Sequence, residues 1–211
     1  VTVVSAGTFV LSYTLAADCY AEKTISVNHQ ANAGEDQILC GVLTTSLNGN
    51  DPIVDGGFWS QVDGPGIISF TPDVTSPNPT ITATHYGTYT LNWFHVTCSS
   101  FDFVTITFNE RKQVGVSVTA NTAAICAGET VTYTANPQNG GSAPVYQWYV
   151  NDIPQPNSNN TIFSYNPQAT DLVHVVLTSS EDCVVLGSNP ATSNSVSVLV
   201  KPLATAPTAI E

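Results

Sequence analysis

Basic residues are scarce: 4 Lys and Arg stand against 16 Asp and Glu, a formal net charge of −12. Nucleic acids and anionic membrane surfaces are bound by Lys and Arg that neutralise phosphate, so neither is an expected partner. Apolar runs are short, and none approaches the ~18 residues that a membrane span needs, so no membrane insertion is expected. Met is absent, even at position 1. The chain shows no signal peptide and opens mid-pattern, which predicts a piece of something longer. No C-x-x-C pair occurs and the four His are scattered, which argues against zinc. No segment has a 3.6-residue apolar period, so helices are not expected. Charged residues make up only 9% of the chain, well under the usual quarter. Thr, Ser, Asn and Val take their place, a composition that favours strands. The ordinary apolar fraction argues against disorder.

What the chain has is a recurring pair of strands. Gly87-Thr-Tyr-Thr-Leu-Asn-Trp93-Phe-His-Val-Thr-Cys98 is followed by Phe101-Asp-Phe-Val-Thr-Ile-Thr-Phe108. The same text stands earlier as Gly7-Thr-Phe-Val-Leu-Ser-Tyr13-Thr-Leu-Ala-Ala-Asp-Cys19 and Glu22-Lys-Thr-Ile-Ser-Val27. A looser third copy is Asp171 to Thr178, Cys183 and Ser195 to Val200. The copies mark the ends of three units. Residues 1–28 read as the last strands of a truncated repeat, 31–110 and 113–202 as complete repeats, and 203–211 as a linker or the start of another. Within each complete repeat, short alternating strands are stopped by turn clusters such as Asn48-Gly49-Asn50-Asp51-Pro52 and Asp63-Gly64-Pro65-Gly66. Turn signals every eight to twelve residues indicate a β-sandwich. A period of about 80 to 90 residues is too long for a solenoid and fits a string of independent domains. The expected fold is therefore all-β, with tandem antiparallel immunoglobulin-like sandwiches and an elongated particle.

The phrases Ala31-Asn-Ala-Gly-Glu-Asp-Gln37, Trp59, Gly64-Pro-Gly66, Phe70, Asn78-Pro79 and Tyr86-Gly-Thr-Tyr-Thr-Leu-Asn-Trp93 resemble the PKD-like repeats of large secreted surface proteins of Bacteroidota. Ile125-Cys-Ala-Gly-Glu-Thr-Val-Thr-Tyr-Thr-Ala135, Tyr146-Gln-Trp148 and Leu177-Thr-Ser-Ser-Glu-Asp-Cys183 resemble the related immunoglobulin-like repeats. The resemblance covers nearly the whole chain. It implies export by a type IX-like route and service in an extracellular adhesin, stalk, filament or gliding-motility protein. No carboxy-terminal sorting domain is present in the sequence, so that route is inferred from the repeats alone. The partners implied are neighbouring repeats of the same protein and other copies in a filament, with surface glycans as a further candidate. An incomplete sandwich over 1–28 also raises strand addition by a neighbouring chain, since open sheet edges invite it. The alternative function is a carbohydrate-binding or accessory module of a secreted hydrolase.

Five cysteines, Cys19, Cys40, Cys98, Cys126 and Cys183, fit disulfide chemistry in an oxidising compartment. Cys40 to Cys98 spans 58 residues and Cys126 to Cys183 spans 57. One reading places a bond within each repeat, Cys40–Cys98 and Cys126–Cys183. In an immunoglobulin-like sandwich, however, those turns lie at opposite poles, roughly 25 to 30 Å apart along the strand between them, whereas a disulfide needs Cα atoms within about 7 Å. The second reading staples Cys40 to Cys183 across repeats. Cys19 would then pair backward and Cys126 forward, outside the chain, and Cys98 with the entry region of the truncated first unit. Free thiols are the third.

Trp59, Trp93, Trp148 and Leu91 are expected in the cores, and Tyr86 as a corner tyrosine that bonds across a turn. An exposed coplanar aromatic pair would instead favour sugar binding. Glu35, Asp36, Asp51, Asp55, Asp63 and Asp73 leave calcium open as the one cofactor, although no Asp-x-Asp-x-Asp-Gly loop is present. His29, His85, His95 and His174 have no acid and nucleophile beside them in sequence. No catalytic residue is assigned, and the chain is not expected to be an enzyme.

Overall fold

A computed structural model describes residues 7–16, 19–27, 29–53 and 56–203. The chain divides into two compact units, Val1–Glu110 and Arg111–Glu211. All regular elements among the described residues are strands.

The first unit holds β1 (Gly7–Ala16), β2 (Cys19–Val27), β3 (Gln37–Cys40), β4 (Thr44–Ser46), β5 (Gly57–Asp63), β6 (Ile68–Thr71), β7 (Thr80–Ala83), β8 (Gly87–His95) and β9 (Ser100–Asn109). β1 and β2 form a two-stranded antiparallel sheet of their own. The others make a four-stranded sheet, β3-β9-β8-β5, and a three-stranded one, β4-β7-β6. Alternation decides the faces. β8 turns Tyr89, Leu91, Trp93 and His95 inward, and β9 turns Val104, Ile106 and Phe108 inward. Ile68, Ile81 and Ala83 meet them from the other sheet, together with Trp59 of β5. Each large side chain so buried contributes about 1.5–3 kcal/mol, an upper figure because unfolded chains already bury part of their surface. β3 runs parallel to β9 while its neighbours pair antiparallel.

Ala31-Asn-Ala-Gly-Glu-Asp36 forms no strand, and regular pairing begins only at Gln37. Side chains of β9 hold this segment in place of a ladder. The Ala31 N–H donates to Ser100 Oγ and the Ala33 N–H to Asp102 Oδ2, while Asp36 Oδ1 accepts from the Thr105 N–H. The Gly64-Pro65-Gly66 turn lies against Tyr89. Gly64 has φ +150°, and a Cβ there would collide with the Tyr89 ring.

The second unit holds β10 (Gly115–Ala120), β11 (Ala124–Cys126), β12 (Val131–Gln138), β13 (Val145–Val150), β14 (Ile153–Pro154), β15 (Ile162–Tyr165), β16 (Leu172–Thr178), β17 (Ala191–Thr192), β18 (Val196–Ser197) and β19 (Leu199–Lys201). One sheet is β10-β12-β15. The other is β14-β13-β16, extended on β16 by both β17 and β18. β11 and β19 pair in parallel, as β3 and β9 do. Trp148, Tyr133, Val173, Val175 and Leu177 fill the core.

The closing strand expected over Ser195–Val200 is broken. Ser193 and Asn194 take over the backbone's role: Ser193 Oγ accepts the Val175 N–H, and the Asn194 carboxamide accepts from Val118 N–H and donates to Val118 C=O. Within each of the two units, two sheets enclose one core as an all-β immunoglobulin-like sandwich.

Candidate functional site: the cysteine turns

In the first unit, β9 fixes where two cysteines stand. Cys40 ends β3 opposite Asn109, the last residue of β9. Cys98 lies in the turn just before Ser100, where β9 begins. Nine residue steps of extended strand separate these ends, about 30 Å. Cys40 is disulfide-bonded, while Cys98 is an exposed free thiol. The Cys98 Sγ donates to the His29 carbonyl at 3.6 Å and lies 3.1 Å from Ser100 Oγ.

The second unit repeats the arrangement. Cys126 ends β11 opposite Lys201 of β19 and is an exposed free thiol. Cys183 follows β16, is buried, and is disulfide-bonded. Its carbonyl accepts the Lys112 N–H at 2.9 Å, and the Val185 N–H donates back to Lys112 C=O at 3.0 Å. Arg111 Nη1 donates to the Val184 carbonyl, and Lys112 Nζ forms an ion pair with Glu181 at 2.8 Å. The only four cations in the chain are Lys23, Arg111, Lys112 and Lys201; three of them therefore flank a cysteine turn.

The free thiols at Cys98 and Cys126 rule out the within-repeat bonds Cys40–Cys98 and Cys126–Cys183. The physical reason in the first unit is the length of β9, which keeps its two turns several times too far apart for a disulfide. Cys19 begins β2, and its side chain lies outside the described residues. So do residues 1–6 and 204–211, with the opening of the expected truncated repeat and most of the proposed carboxy-terminal linker.

Trp59, Trp93, Trp148 and Leu91 are all buried. Trp59 and Trp93 stack with centroids 5.0 Å apart. Each indole N–H finds a carbonyl: Trp59 those of Ser76 and Pro77, Trp93 that of Asn50, and Trp148 that of Asn160. None of the three offers a platform to a sugar. The corner tyrosine is Tyr89, not Tyr86. The Tyr89 hydroxyl donates to the His85 carbonyl at 2.8 Å from a buried ring, whereas Tyr86 is exposed. A strand-borne ring is held by the core and can aim its hydroxyl back at the turn. In the second unit, burial first and the Asp171 carboxylate second push the Tyr165 phenol far above the ordinary 10, and burial raises Tyr133 and Tyr146.

One outward-facing aromatic group carries no signal in the sequence, with Phe58, Phe101 and Phe103 exposed and Phe94 half-buried. Phe58, Phe94 and Phe101 lie opposite one another across β5, β8 and β9, and Phe103 follows on β9. All four belong to the outer face of the four-stranded sheet. The Phe58–Phe94 rings are tilted at 48° and Phe101–Phe103 at 64°, so neither pair is coplanar.

The acidic residues do not gather. Asp63 Oδ1 accepts the Gly64 N–H, and Asp73 Oδ1 accepts from both the Thr75 N–H and hydroxyl, which holds its carboxyl below the ordinary range. Glu35 lines a shallow polar cleft of about 390 Å³ with Asn32, Asn48 and Asn50. Asp55 lies outside the described residues. Among the described residues, no three of His, Cys, Asp and Glu converge on a point that could hold a metal. His95 is wholly buried, with Nδ1 3.0 Å from the His29 carbonyl.

No family model matches this sequence, and no curated protein matches it. Similarity is found to solved structures of immunoglobulin-like chains. The titin domains I67–I69 are 12% identical, with a TM-score of 0.48, over 83% of this chain and 65% of that one. Murine CEACAM1b is 14% identical, with a TM-score of 0.41, over 82% of this chain and 100% of that one. Fibronectin(III)-like modules of Clostridium thermocellum CbhA are 14% identical, with a TM-score of 0.33, over 84% and 98%. Likeness at this level bears on fold alone, and the fold stands on the sheets already described.

Proposed function

We propose that this chain is a structural, extracellular run of repeats from a large bacterial cell-surface adhesin, stalk or filament protein. Its repeats are joined by a disulfide between Cys40 and Cys183. The carrying observation is the cysteine pattern: Cys40 and Cys183 are bonded, and Cys98 and Cys126 are free. Local order supports the pairing. Cys40 lies opposite Asn109, and the Cys183 carbonyl holds the Lys112 N–H. Asn109 and Lys112 are three residues apart in the chain, at most about 11 Å of extended backbone. Domains joined by a short linker alone move freely, and a second covalent link stiffens them. Disulfides persist in oxidising compartments, which supports an extracellular location. The PKD-like phrases add the finer reading of a Bacteroidota surface protein, exported by a type IX-like route and serving adhesion or gliding. Nothing in this reading requires catalysis.

Peptide mapping of the unreduced chain tests the staple. A Cys40–Cys183 linked peptide is expected, and its absence overturns the pairing. Small-angle scattering is expected to show an extended particle that loosens on Cys40→Ser, and a compact globule overturns the stalk. The carbohydrate-binding or accessory-module reading has less support, because the Trp rings are buried and the exposed Phe rings are not coplanar. Binding to insoluble polysaccharide that is lost with Phe101→Ala would restore it.

A further inference from the structure

Cys126 repeats the setting of Cys40 in detail. Each ends a short strand paired in parallel with the closing strand of its unit, Cys126 opposite Lys201 and Cys40 opposite Asn109. In each case the next N–H, Ala127 or Gly41, donates to that partner's carbonyl at 2.8 Å. Cys98 repeats the setting of Cys183. Both follow the long central strand of their sheet, β8 or β16, and both touch the segment leading into their own unit. Cys98 does so through the His29 carbonyl and Cys183 through the Lys112 N–H. The two settings that are disulfide-bonded once are thus each built a second time, with an exposed thiol.

We infer that Cys98 and Cys126 are the outward ends of the same disulfide system, each made to bond a cysteine of a further repeat of this kind. This rests on the reading that Cys40 and Cys183 bond each other. By that rule, Cys126 takes a cysteine from the turn after a central strand, as Cys183 is, and Cys98 takes one at the end of a short first strand, as Cys40 is. Neither can be satisfied within its own sandwich, because the cysteine of the other type stands at the far end of the strands. In an oxidising compartment, an exposed thiol is open to disulfide formation with any thiol brought within reach. Each link joins two thiols, which lose two protons and two electrons. A disulfide oxidant accepts both electrons through a mixed disulfide and leaves as two thiols.

The test compares two preparations blocked with N-ethylmaleimide before any reduction and then digested for mass spectrometry. One is the protein as its source makes it; the other is the 211-residue chain alone. In the isolated chain, Cys98 and Cys126 are expected to carry the label. In the source protein both are expected unlabelled, each in a linked peptide released by reductant. A non-reducing gel tells the two sources apart. A ladder that collapses on reduction means a second copy, and an unchanged mass means a further repeat of one chain. Label on Cys98 or Cys126 in the source protein overturns the inference, as does a Cys98–Cys98 or Cys126–Cys126 link. The Cys40–Cys183 peptide is read in the same digests. Its presence with labelled Cys98 and Cys126 sinks this inference alone, and its absence sinks the staple beneath it.

Discussion

β1–β2 and β8–β9 are the same hairpin in two surroundings. Gly7 opens one opposite Val27, and Gly87 opens the other opposite Phe108. The two glycines share a φ that side chains avoid, +151° and +136°. Thr8 faces Ser26 through hydroxyls 3.4 Å apart, and Thr88 faces Thr107 at 3.1 Å. Yet Leu11 is 40% exposed where Leu91 is 0%, and Tyr13 is 67% exposed where Trp93 is 0%. Local pattern thus makes the hairpin, and its neighbours make the core. β8 has β5 on its open edge, β9 has β3, and the β4-β7-β6 sheet covers their inner face. No other described strand pairs with β1 or β2. One position differs in kind. In register, Lys23 stands opposite Leu11 as Val104 stands opposite Leu91.

Hydrogen exchange should show the largest contrast. A lone two-stranded hairpin is marginal in water, so the Leu11 amide is expected to exchange with little protection. The Leu91 and Trp93 amides exchange only when the unit opens, at a cost of about 5–15 kcal/mol, which slows them at least about a thousandfold. Equal protection in β1 would break the contrast. If it grew with protein concentration, a second chain would be covering the hairpin, as strand addition requires.

The Lys23/Val104 difference can be exchanged between the hairpins. Val104→Lys places an unpaired ammonium among Leu91, Ile106 and Phe108 and is expected to cost more than about 4 kcal/mol, enough to unfold the first unit. Lys23→Val is expected to change stability by no more than about 0.5 kcal/mol. Urea unfolding measures both. A tolerated Val104→Lys would show that the core is looser than its burial states. Trp93→Ala should cost about 3–5 kcal/mol, since it opens a cavity beside Trp59 and strands the Asn50 carbonyl. Tyr13→Ala should cost less than about 0.5 kcal/mol. Comparable losses at the two positions would mean that the first hairpin is buried in solution.

Alternation made most of this legible. The recurring text from Gly87 contains β8, and the three Trp expected in the cores are buried. Alternation failed where apolar residues occupy both phases. In Phe101-Asp-Phe-Val-Thr-Ile-Thr-Phe108, the first two Phe face outward and Val104, Ile106 and Phe108 inward. A period of two cannot choose between the sets. It failed again at Ser193 and Asn194, whose side chains stand in for a ladder, and at β11, three residues that are a strand only because β19 lies beside them. The cysteine pattern is the sharpest case. Spacings of 58 and 57 residues point to bonds within repeats, and only the length of the strand between the two turns argues the other way. That length follows from the fold rather than from any motif around the cysteines.

The smallest contrast concerns a single hydroxyl. Tyr89 donates to His85 C=O at 2.8 Å, while its ring packs edge-on to Phe108, centroids 5.9 Å apart. The matching residue of β1 is Phe9, which has no hydroxyl to give. Tyr89→Phe keeps the ring and removes one hydrogen bond. His85 is exposed, so its carbonyl can turn to water, and the expected cost is about 1 kcal/mol, read as a lower urea midpoint at unchanged slope. A cost near zero would mean that the core alone sets the turn. Phe9→Tyr supplies the missing group to the first hairpin. Phe9 belongs to a sheet of only two strands, so no change beyond about 0.5 kcal/mol is expected. A gain matching the loss at Tyr89 would show that the first hairpin already carries a docked turn, and hence the beginnings of its own sandwich.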